Sequence, residues 1–284
     1  MTAPERSPGA VEPRVTIVRP AKGAAPVGLR ELWEFRVLLY YLVWRNIKVR
    51  YKQTVLGASW SVLQPLLTML VLSVFLGRFA RVPSNGIPYP LFAYAGLVVW
   101  TFFTSALSQA TQSLVEQQDM IKRAYFPRIL LPLSGVLAAT VDMLLSLPVL
   151  IALMLFYGVA PSHAAWTLPV FLLLAAAAAL GIGLWLSALN VRYRDVRYAI
   201  PFLIQLWFLA TPVMYPSSVL PDHWRVLYGI NPMAGVVEGF RWGLLGGTEP
   251  PGKLLLVSIA IILIALVSGF HYFRRMEATF ADVV

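Results

Sequence analysis

The chain has 284 residues, a formal net charge of +10 and no cysteine. Charged residues make up 13% of it and hydrophobic residues 58%, with a mean hydropathy of +0.71; an ordinary soluble domain carries about a quarter charged residues, so the composition is that of a polytopic membrane protein. Disulfides, thiolate catalysis and cysteine-based metal sites are excluded, the histidines (His163, His223, His271) show no ligand spacing, and the basic residues cluster at the ends of apolar runs, which suits anionic lipid headgroups and not nucleic acid.

Residues 1–28 are rich in Pro, Ala and Arg and lack an apolar h-region, so they read as a disordered cytoplasmic tail and not a signal peptide. Residues 29–54 read as an amphipathic interface helix. At about 100° per residue, Leu29, Trp33, Tyr40, Val43, Trp44, Ile47 and Tyr51 share one face, and Arg30, Glu31, Glu34, Arg45, Lys48 and Lys52 the other. Arg36 and Leu38 depart from the pattern. A basic face opposite an aromatic one suits the headgroup plane.

Residues 55–273 read as an all-α membrane domain of six transmembrane helices, because each apolar run reaches the roughly 20 residues that a bilayer requires. The first span covers about Val55–Gly77, with Trp60, Gln64, Leu67, Val71 and Phe75 stepping along one face. The second covers about Leu91–Val115. Its inner half carries Thr101, Thr104, Ser105, Ser108, Gln109, Thr111, Gln112 and Ser113, which either glue helices together or line a wet cavity. The third covers about Ile129–Phe156. The fourth, about Leu168–Leu189, has Gly181 and Gly183 for close helix contact. The fifth, about Tyr198–Tyr215, contains Pro201 and Pro212, and the sixth covers about Leu254–Tyr272. Residues 274–284 form a short C-terminus.

Two features interrupt the spans. Val82–Val115 holds no charged residue and Ile129–Val191 only Asp142; between them lies the charged island Glu116–Arg128, EQQDMIKRAYFPR. Lys122, Arg123 and Arg128 place it on the cytoplasmic face, and a helical turn from Val115 to Arg123 is stopped by Pro127. It is either a plain connecting loop or a docking knob. With six spans both termini share a side, and 18 Lys and Arg fall on that side against 5 on the other, which places both termini in the cytoplasm. The second feature, about 216–247, is aromatic and half apolar but too broken to span. Two short helices interrupted near 229–232 and re-entering the outer leaflet would put it at a pathway exit; a loop packed over the helix tops is the alternative.

Resident chemistry is not evident. GTEPPGKL at 247–254 imitates a phosphate-binding loop, but Leu254 replaces the magnesium-binding hydroxyl, and Pro250 and Pro251 remove backbone donors. Asp142 is the only acid inside a span and reads either as a proton site or as a hydrogen-bonded structural residue.

Four segments carry a family resemblance: RNIKVRYKQTVLGASWSVLQPLL at 45–67, IKRAYFPRILLPLS at 121–134, NVRYRDVRYAIPFLIQLWFLATPVMYP at 190–216 and NPMAGVVEGFRWGLL at 231–245. Together they resemble the permease subunits of type-2 ABC exporters, in the branch that carries O-antigen, teichoic acid or capsule across the bacterial inner membrane. The resemblance covers nearly all of the chain after Leu29. It implies a non-catalytic homodimer that binds two copies of a cytosolic ABC ATPase. ATP and magnesium then belong to that partner, and this chain has no cofactor or metal of its own. Residues of about 116–126 become a coupling helix, with Glu116, Gln118, Asp119, Lys122 and Arg123 facing the ATPase together with Arg45 and Lys48 of the interface helix. The first, second and fifth spans line a channel for a lipid-linked polysaccharide. Trp60, Gln64, Phe75, Tyr94, Trp100, Phe103, Trp207 and Tyr215 are its candidate lining, although each aromatic also suits an interfacial belt. Trp224, Asn231, Pro232, Glu238 and Arg241 become a periplasmic gate. Two alternatives stay open: an exporter of a small hydrophobic drug or lipid, and a membrane glycosyltransferase that would need Asp142 with Asp222 or Glu238 as an acidic pair.

Overall fold

The computed structural model describes residues 33–52, 57, 59–193, 195–246, 250–277 and 280. The tail at 1–28, both ends of the interface-helix segment and residues 247–249 of the phosphate-loop imitation lie outside these. The described residues form helices and turns, with no strand among them.

The helices in chain order are α1 (Arg36–Tyr51), α2 (Ser59–Leu72, continued by the π-helical turn Ser73–Phe79), α3 (Tyr89–Glu116), α4 (Gln118–Arg123) and α5 (Leu130–Phe156). Then follow α6 (Leu168–Arg192), α7 (Val196–Leu209), α8 (Asp222–Tyr228), α9 (Pro232–Leu245) and α10 (Gly252–Glu277). Among the described residues, five stretches are long and apolar enough to cross a membrane: Ser59–Phe79, Tyr89–Glu116, Leu130–Phe156, His163–Arg192 and Gly252–Glu277. The expected fifth span differs. Helix α7 has 14 residues, or about 21 Å at 1.5 Å per residue, against a hydrocarbon core of about 30 Å. The chain continues past Leu209 as turns, because Pro212 has no N–H with which to extend the helix.

Helix α3 is the axis of the bundle and is covered along most of its length by α5 and α6. Small residues allow this closeness. A Cβ on Gly183 would lie 2.7 Å from the Ala110 Cβ of α3, and one on Gly181 would lie 2.7 Å from the backbone of Leu266 in α10. Helix α2 is the least covered span. The return from α2 to α3 closes through a tight turn with Asn85 and Gly86 both at positive φ, 54° and 79°. Ile87 N–H donates there to the Ser84 carbonyl at 3.1 Å, which is the geometry that favours Asn-Gly.

A second buried cluster gathers Leu42, Leu114, Ile121, Phe126, Leu130, Ala188, Phe273 and Phe280. It brings α1, α4 and the ends of α3, α6 and α10 to one end of the bundle. The opposite end holds Tyr89, Phe92, Met214 and Arg241. Segment 196–213 therefore runs from one end to the other, in spite of its short helix, and both described ends of the chain lie together.

Helix α1 departs from its expected amphipathic pattern. Leu42 is buried, with Phe35, Leu38 and Leu39 packed beside it, while Trp33, Tyr40 and Trp44 are exposed. Leu38, out of place on the aromatic face, thus belongs to the face that packs on the protein. The helix has two apolar faces, one for protein and one for its surroundings.

Candidate functional site

The polar stripe on α3 resolves into two faces. Thr101, Thr104, Ser105, Ser108 and Gln109, spaced three and four apart, border a cavity of about 600 Å³ between α2, α3, α5 and α7. Thr101 Oγ1 donates to the Leu97 carbonyl at 2.7 Å, and Gln109 Nε2 donates to Ser105 Oγ at 3.2 Å. Thr101 and Thr104 thus donate to carbonyls of their own helix while the Ser105 and Ser108 hydroxyls accept from Gln109 and Gln112, and the wall is uncharged and polar. On the other face Thr111 and Ser113 are buried, and Asn190 Nδ2 of α6 donates to the Thr111 carbonyl at 3.1 Å. One face lines a cavity and the other glues helices.

Trp60, Ser61 and Gln64 of α2 border the cavity from the opposite side, and Arg50, Tyr51 and Asp142 close it. Asp142 is not alone, as its isolation in sequence had suggested. Arg50 is ion-paired with its Oδ2, and the Tyr51 hydroxyl donates to its Oδ1. Burial lowers the pKa of Arg50, and the neighbouring Tyr51 opposes that shift; an arginine remains cationic at any physiological pH.

The candidate channel residues occupy several places. Trp60 and Gln64 border the cavity. Phe75 is exposed on the π-helical turn, 6.2 Å from Phe79. Trp100, Phe103 and Trp207 form one aromatic knot, with Phe103 and Trp207 centroids 5.1 Å apart and Phe208 5.7 Å from Trp100. Within the protomer Tyr94, Trp100 and Phe103 are buried. The Tyr215 hydroxyl donates to the Leu209 carbonyl at 3.0 Å and lies 2.7 Å from the Tyr228 hydroxyl. Burial, together with that Tyr215 contact, raises the pKa of Tyr228 far above its ordinary value.

Below α7 the chain is non-helical, and side chains hold its carbonyls one by one. Asn231 Nδ2 donates to the Ala210 carbonyl and to Thr211 Oγ1, both at 2.9 Å. Arg241 is 2% exposed. It donates to the Pro212 carbonyl at 2.5 Å, to the Phe92 carbonyl at 3.0 Å and to the Val213 carbonyl. The Tyr89 hydroxyl takes the Met214 carbonyl at 2.9 Å. Irregular backbone within a membrane requires such protein partners. Gly96 makes room for the fork, since a Cβ there would lie 2.2 Å from Arg241 Nη2.

Helices α8 and α9 flank the break at 229–231 that the sequence places near 229–232. Asn231 caps α9 by accepting from Met233 N–H at 3.1 Å, Pro232 fills the first helical position, and Trp207 Nε1 donates to Asn231 Oδ1 at 2.9 Å. The hairpin turn thus reaches the aromatic knot. Glu238 accepts from Ser217 N–H and Ser217 Oγ, each at 2.5 Å, whereas Trp224 is exposed.

Of the island residues, Glu116, Asp119, Lys122 and Arg123 are exposed and Gln118 is half-buried, while Ile121 and Phe126 anchor the knob in the second cluster. Arg45 and Lys48 of α1 are also exposed. Arg128 N–H donates to Glu277 Oε1 at 3.2 Å, and Glu277 pairs with Arg274 at 2.7 Å. The end of α10 thereby holds the base of the knob. Arg241 and Asn231 were foreseen here only as gate residues; their work on main-chain carbonyls leaves no trace in side-chain patterning.

Residues 37–245 match the ABC-2 type transporter family. The chain is 30% identical over 259 residues to the O-antigen export system permease protein RfbA of Myxococcus xanthus, an overlap of 90% of this chain and 98% of that protein. It is 29% identical over 248 residues to the protein of the same name from Klebsiella pneumoniae, covering 87% and 95%. It is 25% identical over 254 residues to the polysialic acid transport protein KpsM of Escherichia coli, covering 85% and 94%.

Proposed function

The chain belongs to the ABC-2 type transporter family, and from that premise we propose that it is the membrane permease of an ATP-driven exporter that carries a lipid-linked polysaccharide, such as O-antigen, across a bacterial inner membrane. It supplies the passage and not the energy. ATP and magnesium are bound by a cytosolic ABC ATPase, two copies of which serve a homodimer of this chain. The α4 knob, with Asp119, Lys122 and Arg123 exposed and Gln118 half-buried beside them, the exposed Glu116 at the end of α3, and the Arg45 and Lys48 side of α1 are the surfaces offered to that partner.

The observation that carries this reading is the cavity. Its α3 wall is hydroxyl and amide, it carries no net charge from the Arg50–Asp142 pair, and Trp60 stands at its side. A sugar chain needs many weak, exchangeable hydrogen bonds and an occasional aromatic face on which to slide, and a strong fixed ligand site would stall it. A small hydrophobic cargo has no use for such a wall. A glycosyltransferase needs free acids, yet Asp142 is ion-paired and Glu238 is committed to Ser217. The reading is tested by purifying the chain from its native membrane in mild detergent and identifying what accompanies it. An ABC ATPase at near one-to-one stoichiometry is expected; an intact permease without one contradicts it.

A further inference from the structure

Asp142 is the one charged residue between Ile129 and Val191, and the function above gives it no task. Both of its oxygens are engaged, Oδ2 by Arg50 and Oδ1 by the Tyr51 hydroxyl. These are adjacent residues at the end of α1, so one carboxylate grips a helix terminus from two sides. The grip is one rung of a series. Leu42 shares a buried cluster with Leu130 and Leu131. Asn46 Nδ2 donates to Ser134 Oγ at 3.1 Å. Beyond Asp142, Ser146 Oγ donates to the Ser61 carbonyl at 3.1 Å, just inside α2. Positions advance together on both sides, so α1 runs alongside α5 in the same direction and the start of α2 continues the line. Among the described residues, no second acid and no histidine borders the cavity beside Asp142 to pass a proton on.

We propose that Asp142 is a positioning residue that locks α1 to α5 through Arg50 and Tyr51. The α4 knob, which leads directly into α5, and the exposed Arg45 and Lys48 of α1 then move as one body and carry the cavity wall with them. The inference rests on the reading that an ATPase acts at those two surfaces. An ion pair suits the task better than an apolar contact. A slip in register would strand two charges with side chains only 32% and 15% exposed, and stranding a buried charge is far more costly than shifting a leucine.

The absence of cysteine makes the test direct. Asn46→Cys with Ser134→Cys places the only two thiols of the protein across this contact. In the complex with its ATPase, joining them with a short cleavable bifunctional reagent leaves ATP-driven polysaccharide export at the unbridged rate. Export that stops on bridging and returns on cleavage overturns the proposal, because the helices must then part during the cycle. The charges are tested separately. Arg50→Ala and Asp142→Asn each lose export, Arg50→Lys retains it, and the exchanged pair Arg50→Asp with Asp142→Arg recovers part of it. Normal export by Arg50→Ala beside a dead Asp142→Asn, or an Arg50→Lys variant no better than Arg50→Ala, contradicts the lock. An error in the functional reading shows itself elsewhere, as an unmodified complex that exports no polysaccharide; the effect of bridging is then read on ATP hydrolysis.

Discussion

Arg241 shows how much one side chain can organise. Its guanidinium donates to the carbonyls of Pro212 and Val213, which have no helical donor, and to the Phe92 carbonyl of α3. Each buried acceptor left without a donor costs about 1–3 kcal/mol, so Arg241→Leu, which orphans the Pro212 and Val213 carbonyls, is expected to destabilise the folded protein by at least ~2 kcal/mol, allowing for non-additivity. Arg241→Lys recovers little, because a point ammonium cannot fork to three carbonyls. Gly96→Ala acts on the same group from the other side, through the 2.2 Å clash with Nη2. Thermal melting in detergent reads all three, and an unchanged midpoint for Arg241→Leu would contradict the assignment. None of this was legible in the sequence. Arg241 stands there only as a gate residue on the outer side, because its partners are main-chain atoms that carry no residue signature. The partners of Asp142 were hidden for a related reason: Tyr51 is 91 positions away, and no periodicity links two such positions.

At the scale of elements, sequence and structure agree where run length decides and part where a local break decides. The long spans were readable because an apolar run in a bilayer has few alternatives to a helix. The break between α8 and α9 was readable from Gly229 and Pro232. The short α7 was not, since hydropathy continues past Leu209 while hydrogen bonding changes to Asn231, Arg241 and Tyr89. On α1 the aromatic residues drew the eye to the exposed face, although the packed face runs through Leu38 and Leu42. The knob combines an exposed charged side with a buried anchor, and the two are separable. The double variant Asp119→Ala with Lys122→Ala is expected to assemble and melt like the unmodified protein while losing export. Ile121→Ala empties a buried site, costs about 2–4 kcal/mol, and lowers the melting midpoint. Normal export by the double variant would remove the knob from coupling.

For the whole molecule, the second cluster decides topology, since it draws together α1, the knob and the end of α10. The cysteine-free chain allows single labels. Lys48→Cys and Lys122→Cys are expected to react with an impermeant maleimide only from the cytosolic face, and Ser218→Cys only from the opposite face. Reaction of Lys48→Cys and Lys122→Cys from different sides would break the six-pass arrangement. The central claim is that this bundle passes a polysaccharide when a partner hydrolyses ATP. It is met most directly by vesicles that contain the permease and its ATPase, loaded outside with lipid-linked polysaccharide and ATP. Polysaccharide that becomes protected inside the vesicles only with hydrolysable ATP, and not when Ser105→Trp fills the cavity, is the result the structure leads us to expect. Protection without ATP, or undiminished protection with the cavity filled, would contradict it.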